Sequence, residues 1–178
     1  MLIVVAALAA PAAAQELSLG YQVQRFSSEG DSMNVPFGVS LSLAGSGGLT
    51  PVGQFDWSRK HESETVIGTS FDGTATFTAF AGGLRWSGRS SSATPFVEAL
   101  FGVMRSSGSA QIAGVNVGSE SSTDAMFELG GGFAVPVAGA LGAFGQLDYR
   151  KIFADAGGDS TGRVNVVRFV AGIRLMAR

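Results

Sequence analysis

The stretch Gly145–Phe153, GQLDYRKIF, sets Gln146, Asp148 and Arg150 in strict alternation with Leu147 and Tyr149. A change of character with period two describes an extended strand with one apolar and one charged face. Which face meets solvent, and what that solvent is, separates a soluble barrel from one turned inside out. The pattern recurs along the chain in Glu16–Phe26, Val35–Ala44, Thr50–Arg59, Thr74–Trp86, Pro95–Met104, Asp124–Val137, Leu141–Phe153 and Arg163–Met176. In the first segment Leu17, Leu19, Tyr21 and Val23 share a face; in the second Val35, Phe37, Val39, Leu41 and Leu43 oppose Gly38, Ser40 and Ser42. In the last, Val167, Phe169, Ile173 and Leu175 oppose Arg168 and Arg174. No helical period of comparable length competes, and Pro51, Pro95 and Pro136 fall near segment ends, where a missing N–H is tolerated.

Composition decides between the faces. The 178 residues fit one domain. Only 15% are charged, against roughly 25% in an ordinary soluble domain. Mean hydropathy is +0.28 even though 26 glycines dilute it. A water-facing surface carries about 25–35% charged residues. Here the polar face is mostly Gly, Ser, Ala and Gln with single charges set deep in the strands. Small residues with isolated charges suit the interior of a barrel of about eight strands, which is just wide enough for side chains to fill. The other face offers Leu, Val, Ile and Phe, with Tyr21, Trp57, Trp86 and Tyr149 placed to form an aromatic girdle at a lipid boundary. The connections run long and short in turn: Ser27–Asn34, Gly45–Leu49, Lys60–Gly73, Ser87–Thr94, Arg105–Thr123, Ala138–Ala140 and Ala154–Gly162. Long loops alternating with short turns are the habit of an outer-membrane barrel, whose even strand count returns both termini to the periplasmic side. The expected fold is an all-β, eight-stranded antiparallel up-and-down transmembrane barrel.

Charges inside such a barrel need partners, because an unpaired one costs several kcal/mol. Folding each hairpin about its connection sets Arg85 opposite Glu98 and Asp148 opposite Arg168, with Glu128 diagonal to Asp148 and near Arg168 and Arg150. The expected lumen network is Arg85, Glu98, Glu128, Asp148, Arg150, Arg168 and Arg174. It would act as a plug, leaving at most small and intermittent solute passage.

Targeting and partners are bounded as well. The start, MLIVVAALAAPAAAQ, is an apolar run closing on Ala12-Ala13-Ala14, a small-x-small cleavage pattern. Residues 1–14 are therefore expected to be a secretory signal peptide and residues 15–178 the barrel. There is no cysteine, which excludes disulfides and thiolate chemistry. A net charge of −2 with no basic stripe excludes nucleic acid as a partner.

The segments TPFVEALFGVMR (94–105), FELGGGFAVPV (127–137), GQLDYRKIF and VRFVAGIRL (167–175) resemble the outer-membrane beta-barrel domain family, small porin-like proteins of the OmpA/OmpX type. The resemblance spans the chain after residue 14 and is strongest from Thr94 onward. It implies a bacterial outer-membrane location and insertion by the barrel-assembly machinery. Contact with outer-membrane lipid and lipopolysaccharide is expected, as are a monomer and no cofactor or metal. The resemblance does not imply one activity. Such barrels commonly end on an aromatic residue, whereas this chain ends Met176-Ala177-Arg178.

Chemistry-bearing motifs are sparse. His61, the single histidine, has Ser58, Ser63, Glu62 and Glu64 nearby. Some barrels of this family modify lipid A with a histidine, a serine and an acid, but serine is common in every long connection here, and a solvated histidine is the simpler reading. Glu98 and Glu128 match a glycosidase acid–nucleophile pair only in residue type, since a filled lumen leaves a sugar no room. Gly130–Gly132 lacks phosphate-loop context. Asp155–Ser160 misses the EF-hand spacing and reads as a turn. The acidic residues of the connections, Glu29, Asp31, Glu62, Glu64, Glu120, Asp155 and Asp159, would either be solvated or bridge to lipopolysaccharide phosphates through divalent ions. The expectation is a non-enzymatic outer-membrane barrel with a structural or surface-interaction role. The alternatives are a soluble periplasmic lipocalin-like ligand-binding barrel and a lipid-A-modifying enzyme using His61.

Overall fold

A computed structural model describes residues 15–28, 31–45, 47–66, 69–88, 92–112, 115–154 and 162–176; the expected signal peptide, residues 1–14, lies outside them. Nine strands form in these residues: β1 (Gln15–Ser28), β2 (Asp31–Val35), β3 (Gly38–Gly45), β4 (Gly48–Val66), β5 (Thr69–Ser87), β6 (Thr94–Ile112), β7 (Val115–Ala138), β8 (Leu141–Ala154) and β9 (Gly162–Met176). Each pairs antiparallel with its neighbour, and β1 pairs with β9 from Glu16↔Met176 to Ser27↔Asn165, so the sheet closes on itself. Here β2 and β3 make one stave, and the barrel has eight. Closure removes the exposed edges that an open sheet would present to an apolar solvent.

The second stave breaks at Pro36. Tyr21 stands opposite Val39, but Gln24 stands opposite Val35, a slip of one residue. Because side-chain direction has period two, the slip turns Val35 inward, where it is fully buried. Period two alone placed it on the outer face with Val39, and the structure corrects that.

Three long connections are also corrected. In Ser27–Asn34, β1 and β2 pair as far as Ser28↔Asp31. Pairing of β4 with β5 continues to Val66↔Thr69, and pairing of β6 with β7 to Ile112↔Val115. Most of Lys60–Gly73 and Arg105–Thr123 is therefore strand, not loop. The ladders of β3 and β8 stop earlier, at Gly38↔Ser58 and Ala125↔Phe153. A four-stranded sheet of β4 to β7 thus stands beyond the barrel wall at the long-hairpin end. Its Ser- and Thr-rich sequence reads as loop by polarity, yet threonine suits strands well and a sheet wetted on both faces needs no apolar side.

At the opposite end the turns are tight. Gly139 (φ 55°) sits between β7 and β8, and Gly47 and Gly48 (φ 75° and 63°) join β3 to β4. These conformations are left-handed and favour glycine.

Candidate functional site: the filled lumen and the two rims

The inward side of the barrel can be followed along single strands. β8 presents Phe144, Gln146, Asp148, Arg150 and Ile152, all buried, while Leu147 and Tyr149 between them are exposed. β9 presents Val166, Arg168, Val170 and Arg174 inward, and Val167, Phe169, Ile173 and Leu175 outward. The charged face of the opening stretch is therefore the inner one.

Arg168, 0% exposed, occupies the axis. Its Nε donates to Asp148 Oδ2 (2.9 Å), its Nη1 to Asp56 Oδ1 (2.7 Å), and its Nη2 to Glu128 Oε1 (2.7 Å). Gln22 Oε1 (3.3 Å) and Ser40 Oγ (3.4 Å) also accept from Nη1. Arg150 Nε donates to Glu128 Oε2 (2.7 Å), and its Nη2 reaches Asp56 Oδ2 (2.5 Å). Gln54 Nε2 donates to Asp56 Oδ2 (2.9 Å) and Glu128 Oε1 (3.2 Å). Gln146 Nε2 links the next layer by donating to Glu98 Oε1 (2.5 Å) and Asp148 Oδ1 (2.8 Å). Arg85 Nε donates to Glu98 Oε2 (2.8 Å). Lower still, Arg174 and Arg85 approach Glu16 Oε2 at 3.2 and 3.7 Å, and both guanidinium groups stand over the Phe96 ring, 4.9 and 4.8 Å from its centroid.

All seven residues proposed from sequence thus lie inside the barrel. Arg85 joins Glu98, Arg150 and Arg168 join Glu128, Arg168 joins Asp148, and Arg174 stands apart with Glu16. Sequence reasoning missed Asp56, Glu16, Gln22, Gln54 and Gln146. Their alternation with Phe55, Leu17, Val23 and Leu147 was the available signal. Among the described residues four buried arginines face five buried carboxylates. Carboxylate oxygens of Glu98, Glu128 and Asp148 lie within 4.8 Å of one another, and Arg85, Arg150 and Arg168 fill the role a metal ion would otherwise take there.

Two apolar clusters bracket the Arg150–Arg168 layer, with Arg174 and Glu16 lying past the second toward the short turns. Toward the long hairpins Phe26, Val35, Phe77, Ala79, Met104, Met126, Ile152 and Val166 pack together, with Phe26 and Phe77 stacked at 4.6 Å. Toward the short turns lie Phe96, Ala134, Phe144 and Val170. Space for the ionic layer comes partly from Gly130, where a Cβ would fall 1.7 Å from Asp148 Oδ1.

The outer surface is apolar over much of each strand: Leu17, Leu19 and Tyr21 on β1, Val97, Phe101 and Val103 on β6, and Leu129, Phe133 and Val135 on β7 are all exposed. On β7 the exposed row extends from Phe127 to Val137, within the ~9–11 residues that a tilted strand needs to span a bilayer. Of the four girdle residues, Tyr21, Trp57 and Tyr149 lie toward the long-hairpin end of their rows, and Trp86 at the short-turn end opposite Leu49. Phe37 packs edge-on against both Tyr21 and Trp57.

His61 lies on the outer face of the projecting β4–β5 hairpin. Its Nδ1 is 3.1 Å from Thr74 Oγ1 and its Nε2 3.1 Å from Ser63 Oγ. Ser63 donates its hydroxyl proton to Asp72. A nucleophile–base pair needs the reverse, with the histidine receiving that proton and a carboxylate holding its far nitrogen.

No protein-family model and no curated protein matches the sequence. Solved structures do match the fold. Ail, the attachment invasion locus protein of Yersinia pestis, solved with the heparin analogue sucrose octasulfate, superposes with a TM-score of 0.63 at 17% identity, over 91% of this chain and 98% of that one. Neisserial surface protein A superposes at 0.62 with 15% identity, over 91% and 97%. The fold is that of the eight-stranded outer-membrane β-barrels. Both likenesses are of architecture: the strand order, the closure and the extent of the chain.

Proposed function

We propose that the chain is a closed, monomeric, non-enzymatic barrel of the bacterial outer membrane, delivered by cleavage after residue 14 and inserted by the barrel-assembly machinery, with a structural or surface-interaction role. The observation that carries this reading is the inversion itself: an apolar outer belt around a lumen of paired ions. Hydrocarbon around the wall accounts for the belt, and it leaves the inward charges no solvent other than one another. The apolar clusters on either side of the Arg150–Arg168 layer support a sealed lumen over an open pore. A soluble ligand-binding barrel would need the opposite arrangement, an apolar cavity within a polar coat. The hydrogen bond from Ser63 to Asp72 supports a solvated histidine over a catalytic one.

The test combines location with conductance. The full chain is expected in the outer-membrane fraction, migrating faster on gels when unheated than when boiled. In planar bilayers it is expected to show no sustained open level. Recovery as a detergent-free soluble protein would overturn the location, and a steady open channel would overturn the plug.

A further inference from the structure

The four staves that run from the short-turn end toward the long hairpins share a pattern. On β1 the outward row Leu17, Leu19, Tyr21, Val23 is followed by Arg25; on β4 the row ending Phe55, Trp57 is followed by Arg59. On β6 Phe101 and Val103 precede Arg105, and on β8 Leu147 and Tyr149 precede Lys151. In every case a cation stands two residues beyond an outward apolar side chain, on the same face, and on β8 the exposed Phe153 follows it. Arg25, Arg59 and Arg105 are exposed and Lys151 is half-buried, its ammonium 5.9 Å from the Phe153 ring centroid. None of the four pairs with a carboxylate among the described residues. Their ladder neighbours are uncharged: Val167 beside Arg25, Thr76 beside Arg59, Thr78 and Thr123 beside Arg105, and Asn165 beside Lys151. Among the described residues the other rim shows no counterpart. Its outward residues are Leu17, Leu43, Leu49, Trp86, Val137 and Leu175.

We propose that Arg25, Arg59, Arg105 and Lys151 form a phosphate-binding ring that holds the phosphorylated saccharide headgroups of lipopolysaccharide around the long-hairpin rim. The proposal rests on the outer-membrane reading and adds to it the partner and the atoms that meet it. Cations at one boundary of an apolar belt complement a leaflet whose headgroups carry phosphate. Arginine offers a planar fork of donors to phosphate oxygens, and each cation near an anionic lipid surface adds to the attraction. The apolar rows just below would meet the acyl chains of the same lipid. Lipopolysaccharide is favoured over an anionic glycerophospholipid because its phosphates sit on a rigid sugar that can span neighbouring cations, and because the ring has no mirror among the described residues of the other rim.

The full chain and the variant R25Q/R59Q/R105Q/K151Q would be titrated in neutral detergent with lipopolysaccharide, dephosphorylated lipopolysaccharide and phosphatidylglycerol, with EDTA present to remove bridging ions. The expected result is affinity for lipopolysaccharide at least about tenfold higher than for either other lipid, lost in the variant and falling as salt is raised. Equal affinity for phosphatidylglycerol, or an unchanged affinity in the variant, would overturn the ring. Heat-modifiable migration is measured on both proteins. If both fold and neither prefers lipopolysaccharide, the ring fails alone; if the parent chain never folds in detergent, the membrane reading fails with it.

Discussion

Replacing Arg168 with methionine is expected to lower stability by at least about 3–5 kcal/mol, read from urea unfolding of the barrel in lipid vesicles. The size follows from what the guanidinium holds. It meets carboxylates from three strands, Asp56 on β4, Glu128 on β7 and Asp148 on β8, with no solvent behind them. Glu128 and Asp56 would keep Arg150, but Asp148 would retain only the neutral Gln146 amide. An uncompensated charge inside a wall surrounded by hydrocarbon is the expensive case. Adding Asp148→Asn should therefore recover a substantial part of the loss, although it removes a further polar group. Arg168→Lys should not rescue, since one ammonium cannot reproduce the planar set of donors that serves the three acids and Gln22. A loss below about 1 kcal/mol would mean that water solvates the lumen.

The second large effect is expected on the outer face. Ala99 is exposed at the middle of the outward row Pro95–Val103 on β6. Ala99→Arg should cost about 2–4 kcal/mol in a bilayer, the depth-dependent penalty for a basic residue at the midplane of a lipid-facing strand. On a water-facing strand the same change would fall within about 0.5 kcal/mol of neutral. Ser107→Arg supplies the control on the same strand. It is equally exposed on the same face, two residues beyond Arg105, and should be near neutral. Equal and small effects at both positions would place water against the belt.

Different physical causes decided how much of this was legible in the sequence. Alternation in eight segments was enough for the barrel, since period two survives wherever one face is buried. It was also enough for facing, because the inner positions of β8 and β9 carry ions and the outer ones do not. Register across a hairpin follows from its turn, so Arg85 opposite Glu98 and Asp148 opposite Arg168 lie within reach of arithmetic. Contacts across the lumen do not. Asp56 meets Arg150 and Arg168 from 94 and 112 residues away, and no local rule fixes which inward side chains share a level. The strand ends of β4 to β7 were misread because polarity was equated with loop, whereas a sheet standing in water can be polar on both faces. Val35 was misread because a single slip at Pro36 reverses every side chain beyond it. The apolar plug of Phe77, Met104, Met126 and Ile152 shares parity with Ala79, Leu100, Glu128 and Arg150, but period two marks only which side chains point inward, not which of them meet at one level.

The most direct measurement returns to Gly145–Phe153. The chain has no native cysteine, so single substitutions can carry a spin label without background. The two to compare are Leu147→Cys, at a site 59% exposed, and Gln146→Cys, at a site 4% exposed, with the folded protein in lipid bilayers. The label at 147 should collide freely with oxygen dissolved in the hydrocarbon and little with a water-soluble nickel chelate. The label at 146 should be shielded from both. Strong collision of the chelate with position 147 would contradict the account, because it would put water, not lipid, against the apolar face.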